Sequence, residues 1–164
     1  RVQQSPTNVE MMRLLGGTAT PMGFGDVYTA LQAGILDGAE NNELALTDNG
    51  HGDICKYYSY DMHQMVPDLL VANYEFLQNL SDEERAIFDE GFEIVKDTEQ
   101  AAWEDAVADA KEKAENEQHV NFLYPDTAPF QEAMAPLHTS VLKANPELQP
   151  IYDRIQEYNA EYTA

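Results

Sequence analysis

Arg1, Gln3 and Ser5 alternate along the opening RVQQS segment. In an extended chain such residues point to one face and Val2 to the other. A guanidinium, an amide and a hydroxyl make poor core material. Together they suit a carboxylate with neighbouring hydroxyls, because the arginine fork offers two parallel hydrogen bonds. A solvent-facing edge would display the same three residues, so spacing leaves both readings open. Phe24 lies between Gly23 and Gly25. A core phenylalanine is the ordinary expectation there. The flanking glycines fit instead an aromatic at a loop tip, beside backbone that another group approaches closely. In Glu40-Asn41-Asn42, at an expected strand-to-helix turn, one asparagine suits a helix cap and the other is free to offer an amide donor to an anion.

Catalytic patterns are absent from the sequence. His51, His63, His119 and His138 are scattered, and none pairs with another at metal-ligand spacing. The GGT after the first expected helix lacks the lysine and spacing of a phosphate loop. There is no nucleophile elbow, and Asp48-Asn49-Gly50 does not extend into a calcium loop. Asp37 and Glu40 could be read as an acid/base pair, but capping the following helix is the commoner task of carboxylates at such a turn. The sequence points to neither an enzyme, a metal site nor a cofactor.

Composition narrows the partners. The 164 residues carry 30 acidic against nine basic side chains, a net charge of -21, and only Arg1, Arg13, Arg85 and Arg154 are arginines. Such a field repels nucleic acid and anionic membranes, so an anionic ligand needs a local, well-aimed arginine. The acidity otherwise reads as a solvated surface. The lone cysteine, Cys55, allows no internal disulfide and leaves the compartment open. No run reaches the roughly 18 apolar residues of a membrane span.

The elements that must position these residues read as α/β. Strand candidates at Arg1–Gln4, Thr18–Pro21 and Ile35–Leu36 alternate with two helices. The first opens at Ser5-Pro6 and stops at Gly16-Gly17; the second starts near Gly25-Asp26 and buries Val27, Ala30 and Leu31. Strand, helix and strand in that order imply parallel neighbours, with ligands beyond the carboxyl ends of the strands. A helical pattern over 40–56 is interrupted at Gly50 and Gly52, and further strands are expected at Tyr57–His63 and Leu69–Asn73. Ser81 with Glu84 forms a capping box for a helix running to about Asn116, long enough to span two lobes. A strand at Val120–Tyr124 and helices over Pro129–Ala144 and Glu147–Tyr162 follow. The expected division is an α/β ligand-binding lobe over 1–73, then the long helix and C-terminal elements over 74–164.

Three stretches resemble one family: RVQQSPTNVEMMRLLGGTATPMGFGDVYTALQAGILDGAENN, KYYSYDMHQMVPDLLVAN and LSDEERAIFDEG. In RVQ, the ATPM-GF-DVYTALQ-G--DGAEN pattern and YS---H, the chain is similar to TRAP transporter extracytoplasmic solute-binding proteins (DctP-like), and the likeness covers Arg1 to Gly91. The resemblance implies two α/β lobes closing over a ligand, with a long helix packing across both. It implies that Arg1 forms the salt bridge to the ligand carboxylate, that Asn41 also contacts the carboxylate, and that Phe24 is a pocket wall. His63 falls at a position that is polar and near the pocket in some members. Gln3 and Gln4 are candidates to read hydroxyls.

On this resemblance the chain is the C-terminal half of such a receptor, working with membrane permease subunits outside the cytoplasm, either in the periplasm or as a surface lipoprotein. The abrupt opening on RVQQS is expected to mark a truncation. A long helix without its first lobe would then expose an apolar face, and the fragment would tend to self-associate. The expected ligand is a small organic acid anion, a sugar acid such as a hexuronate, with a C4-dicarboxylate as the alternative. A ligand-sensing module of a signalling system and an acidic enzyme using Asp37 and Glu40 are the competing classes.

Overall fold

The computed structural model describes residues 1–162. They form seven helices, α1 (Pro6–Leu14), α2 (Val27–Gln32), α3 (Leu44–Thr47), α4 (Tyr74–Gln78), α5 (Asp82–Asn116), α6 (Ala128–Ala144) and α7 (Gln149–Tyr162), and two strands, β1 (Tyr57–Ser59) and β2 (Asn121–Leu123). Single 3-10 turns lie at Phe24–Asp26, His51–Asp53 and Pro146–Leu148. The elements gather into two compact units, one made of Arg1–Glu40 and the segment from Pro125 onward, the other of Asn41–Tyr124.

In the first unit, α1 follows Ser5 in extended conformation with Pro6 at its first turn, and Gly16 at φ 84 ends it. The expected strands Arg1–Gln4 and Thr18–Pro21 narrow to one parallel bridge, Val2 to Pro21, closed by Val2 N–H to Thr20 O at 3.2 Å and Met22 N–H to Val2 O at 3.3 Å. On the other side of this segment the Glu40 N–H reaches Arg1 O at 3.4 Å. Arg1–Gln3 thus runs between 20–22 and 38–40, the parallel arrangement expected of an α/β lobe. Ile35–Leu36 is not a strand. Both amides turn back onto Ala30 O, which ends α2 and leaves Leu36 buried. The buried apolar residues are Val2, Met11, Val27, Ala30, Leu31, Leu36 and Met134, and α1 packs against α6.

The second unit is built on the C-terminal end of α5. The capping box is complete. Ser81 Oγ accepts from Glu84 N–H at 3.3 Å, and the Glu84 carboxylate accepts from Ser81 N–H at 2.8 Å, which holds the Glu84 carboxyl below its ordinary pKa. The 35 residues that follow end at Asn116, where the sequence places the end. Ala110 and Ala114 let α5 approach α3 closely, and Leu46, Ala114 and Val120 form a cluster on which Tyr58 and Phe122 pack. β1 and β2 pair in parallel, Tyr57 with Asn121, Tyr58 with Phe122 and Ser59 with Leu123. The strands expected at Tyr57–His63 and Val120–Tyr124 are therefore present but shorter.

Leu69–Asn73 is not a strand. Leu69 and Val71 are 76% and 79% exposed, and no ladder partner pairs with the segment among the described residues. β-branched and apolar residues favour a strand only where a neighbour pairs with it. Asn73 instead caps the unexpected helix α4, its Oδ1 accepting from Phe76 N–H at 2.9 Å.

Between α3 and the α5–β2 turn, Lys56 Nζ donates to Gly52 O at 2.8 Å and Gln118 O at 2.7 Å, and Gln118 Nε2 donates to Leu46 O at 2.9 Å. A Cβ on Gly52 would lie 2.2 Å from Gln118 Oε1. Gly52→Ala is therefore expected to destabilise the protein by about 1–3 kcal/mol through overpacking. Adding Gln118→Ala should recover part of that loss, which urea unfolding of the two variants would measure.

Candidate ligand-binding site

In the first unit the structure brings Arg1, Gln3 and Phe24 together around Glu40. Arg1 Nε donates to Met22 O at 3.1 Å, and Nη1 donates to Glu40 Oε1 at 3.2 Å. The same carboxylate oxygen accepts from the Gln3 N–H at 3.1 Å. The two side chains of the ion pair are only 7% and 9% exposed. The Arg1 guanidinium carbon stands 5.8 Å from the centre of the Phe24 ring, within cation–π range. Nε and one Nη are thereby anchored, while Nη2 has no hydrogen-bond partner among the described residues. The donors left on the guanidinium suit a second carboxylate.

Glu40 does not cap a helix, as its place at the turn implied. It fixes Arg1 instead, because a buried guanidinium needs an anionic partner and Glu40 lies beside it on the neighbouring segment. Phe24 is at a loop tip in the 3-10 turn Phe24–Asp26 and is 41% exposed, as the glycine bracket allowed. The Gln3 side chain is exposed.

Asn41 and His63 belong to the second unit. Asn41 Oδ1 accepts from the Asn42 N–H at 2.9 Å, and Tyr58 Oη donates to Asn41 O at 2.8 Å. With Oδ1 committed, the two Nδ2 hydrogens remain as donors. Neither asparagine side chain caps α3, whose cap position is Glu43 without a side-chain bond. His63 Nδ1 lies 2.6 Å from Asp61 Oδ1. Between them Met62 takes φ 53, the left-handed region that costs a non-glycine residue about 1–2 kcal/mol. Strain of that kind persists only where the surrounding structure imposes it. The Tyr58 hydroxyl has its pKa raised by burial first, then by the charges of Glu43 and Asp61.

Two participants were missed in the sequence. Tyr58 lies within the YS---H pattern, but no spacing rule ties its hydroxyl to a carbonyl 17 residues earlier. Glu40 could have been found by asking which carboxylate would neutralise a buried arginine in so acidic a chain.

With this geometry in place the relatives can be compared. Residues 1–145 match DctP, the bacterial extracellular solute-binding protein, family 7, and the chain belongs to that family. A solute-binding protein of Anaerococcus prevotii, solved with bound α/β-D-glucuronate, is 61% identical with a TM-score of 0.90; the match covers 98% of this chain and 53% of that one. A solute-binding protein of Chromohalobacter salexigens, solved with D-glucuronate, is 31% identical with a TM-score of 0.89, covering 95% and 52%. The protein YiiZ of Salmonella typhimurium is 41% identical over 95% of this chain and 47% of its own length. The chain spans about half the length of the curated relatives it matches. The α/β lobe, long helix and C-terminal helices expected from the sequence are those of a TRAP-type periplasmic binding protein fold.

Glu40→Ala is expected to cost about 3–5 kcal/mol, because it leaves a buried guanidinium with one carbonyl as its only anchor. Glu40→Gln, which keeps an acceptor for Nη1, should cost less. Thermal unfolding of the two variants side by side checks the ordering.

Proposed function

We propose that the protein is the ligand-capturing component of a TRAP transporter and binds a hexuronate outside the cytoplasm for delivery to membrane permease subunits. The observation that carries this reading is the Arg1 guanidinium, anchored by Met22 O and Glu40 with its Nη edge left for a carboxylate. A single oriented fork suits an acid with one carboxylate and several hydroxyls better than one with two carboxylates. Solved relatives of matching fold hold D-glucuronate, and one from Xanthobacter autotrophicus, 32% identical with a TM-score of 0.86, holds β-D-galacturonate.

In this reading Arg1 takes the carboxylate, Asn41 Nδ2 donates to it, Phe24 forms an apolar wall against the sugar ring, and Gln3 and His63 read hydroxyls. All five lie within 1–73, the stretch assigned to ligand binding, with 74–164 as its support. The protein binds and releases its ligand unchanged and is not an enzyme. Burying the sugar acid is a population shift toward a closed state, driven by the ligand's greater affinity for that state.

The test is a thermal-shift screen of the protein at its full natural length against hexuronates, aldonates, C4-dicarboxylates, sialic acid and 2-oxo acids. At about 100 times its dissociation constant a true ligand adds about 2.7 kcal/mol, a rise of several degrees. D-Glucuronate or D-galacturonate is expected to give that rise, and Arg1→Ala to remove it. A shift confined to C4-dicarboxylates would overturn the hexuronate assignment, and micromolar binding that survives Arg1→Ala would overturn the role of Arg1.

A further inference from the structure

The Asn41 turn is held by a tyrosine outside the proposed set of ligand contacts, with a second tyrosine packed beside it. Tyr58 is on β1 and Tyr60 directly follows that strand, so the two project to the same side. Their rings meet edge-on at 5.1 Å. The Tyr58 ring packs on the Leu46, Ala114 and Val120 cluster and lies 5.6 Å from Phe122 on β2. Its hydroxyl reaches Asn41 O at 2.8 Å. The Tyr60 ring stacks on Tyr124 at 5.1 Å. Lys111 Nζ, 5.5 Å from the Tyr60 ring and 2.6 Å from Tyr124 Oη, closes the far side of the stack. Tyr58 thus grips residue 41, and Tyr60 backs its ring within the aromatic stack carried by the two-stranded ladder and α5.

Asn42 and Glu43 are tied to α3 through their carbonyls, which accept from Ala45 N–H at 3.2 Å and Leu46 N–H at 2.9 Å, but Asn41 lies outside those bonds. α3 begins only at Leu44 and has no side-chain cap, and Asn41 is held otherwise by its own Oδ1 bond to Asn42 N–H. A free turn would let the Asn41 amide rotate among several rotamers, and each would have to be selected again on binding. We propose that Tyr58 is a positioning residue for ligand capture, its hydroxyl holding the Asn41 backbone so that Nδ2 is presented in one orientation. The role rests on the reading of Asn41 as a carboxylate contact. Tyr58 itself touches no ligand in this scheme.

Tyr58→Phe removes the hydroxyl and keeps the ring in the core. In the full-length protein it is expected to weaken D-glucuronate binding about five- to tenfold, the loss of one oriented hydrogen bond. Combined with Asn41→Ala, it should weaken binding no further than Asn41→Ala alone, because its effect passes through Asn41. Tyr57→Phe, on the exposed opposite side of β1, is the control and should leave binding unchanged. The second readout needs no ligand. Hydrogen exchange at the Asn42 amide, which is held by Asn41 Oδ1, should quicken about tenfold in Tyr58→Phe and stay constant in Tyr57→Phe. Losses that multiply across Tyr58→Phe and Asn41→Ala, or an Asn42 exchange rate that does not change, would overturn the proposal. If the unmodified protein does not bind D-glucuronate, the ligand assignment fails separately, and the Asn42 exchange rate alone decides the role of Tyr58.

Discussion

A buried guanidinium has to be held by something, and in this chain Glu40 and the Met22 carbonyl hold Arg1. The arrangement links three stretches of sequence, since Arg1–Gln3 lies between 20–22 and 38–40 and each neighbour supplies one anchor. It also alters the electrostatics of the site. Arg1 and Glu40 together are neutral, so the pair offers an arriving anion little net attraction in a molecule of charge -21. What it offers is direction. In the proposed site Nε and Nη1 are anchored before a ligand arrives, so the orientation of the guanidinium is already settled. The proposed recognition therefore depends more on geometry than on long-range steering, and is less sensitive to salt than a site with a bare positive charge.

The second unit supplies rigidity by a different route. Its core is small, with alanines at 110 and 114 giving α5 close access to α3, and aromatic rings carry the packing outward from there. Tyr58, Phe122, Tyr60 and Tyr124 form a continuous series of ring contacts between 5.1 and 5.9 Å. Aromatic series of this kind hold position with few rotatable bonds, and each hydroxyl can fasten a polar turn at the edge of the stack. Lys56 does comparable work on the opposite flank, where its ammonium group joins two carbonyl oxygens 66 residues apart in the chain, Gly52 and Gln118.

Local signals were the legible ones. Ser5-Pro6 and Gly16 mark both ends of α1, and Ser81 with Glu84 marks the start of a 35-residue helix whose end at Asn116 the apolar spacing also located. Strands were harder to read, because a strand exists only with a partner. Leu69–Asn73 carries the residue types of a strand without a ladder to join, and reading it as one concealed Asn73 as the cap of α4. The site divided along the same line. Arg1, Gln3, Phe24, Asn41 and His63 could be nominated from residue type and from resemblance to a family. Glu40 was misread as a cap because its partner is 39 residues away, and Tyr58 went unassigned because its hydroxyl meets a backbone atom that no side-chain pattern encodes.

The two compact units differ in how the chain builds them. Asn41–Tyr124 is continuous, whereas the other unit joins Arg1–Glu40 to the segment beyond Pro125, with α1 packed on α6. During synthesis residues 1–40 emerge long before α6, the helix that packs on α1. They must wait, partly structured, while the continuous unit emerges and folds. The waiting time is set by translation, since more than 80 residues at about 5–20 residues per second take several seconds. Loop-closure entropy then favours an order in which the continuous unit folds first and brings the two distant segments close. The waiting segment holds only four carboxylates against two arginines, so the charge of the chain lies almost wholly elsewhere, and what shields these residues in that interval is their own local structure and the arrival of α6.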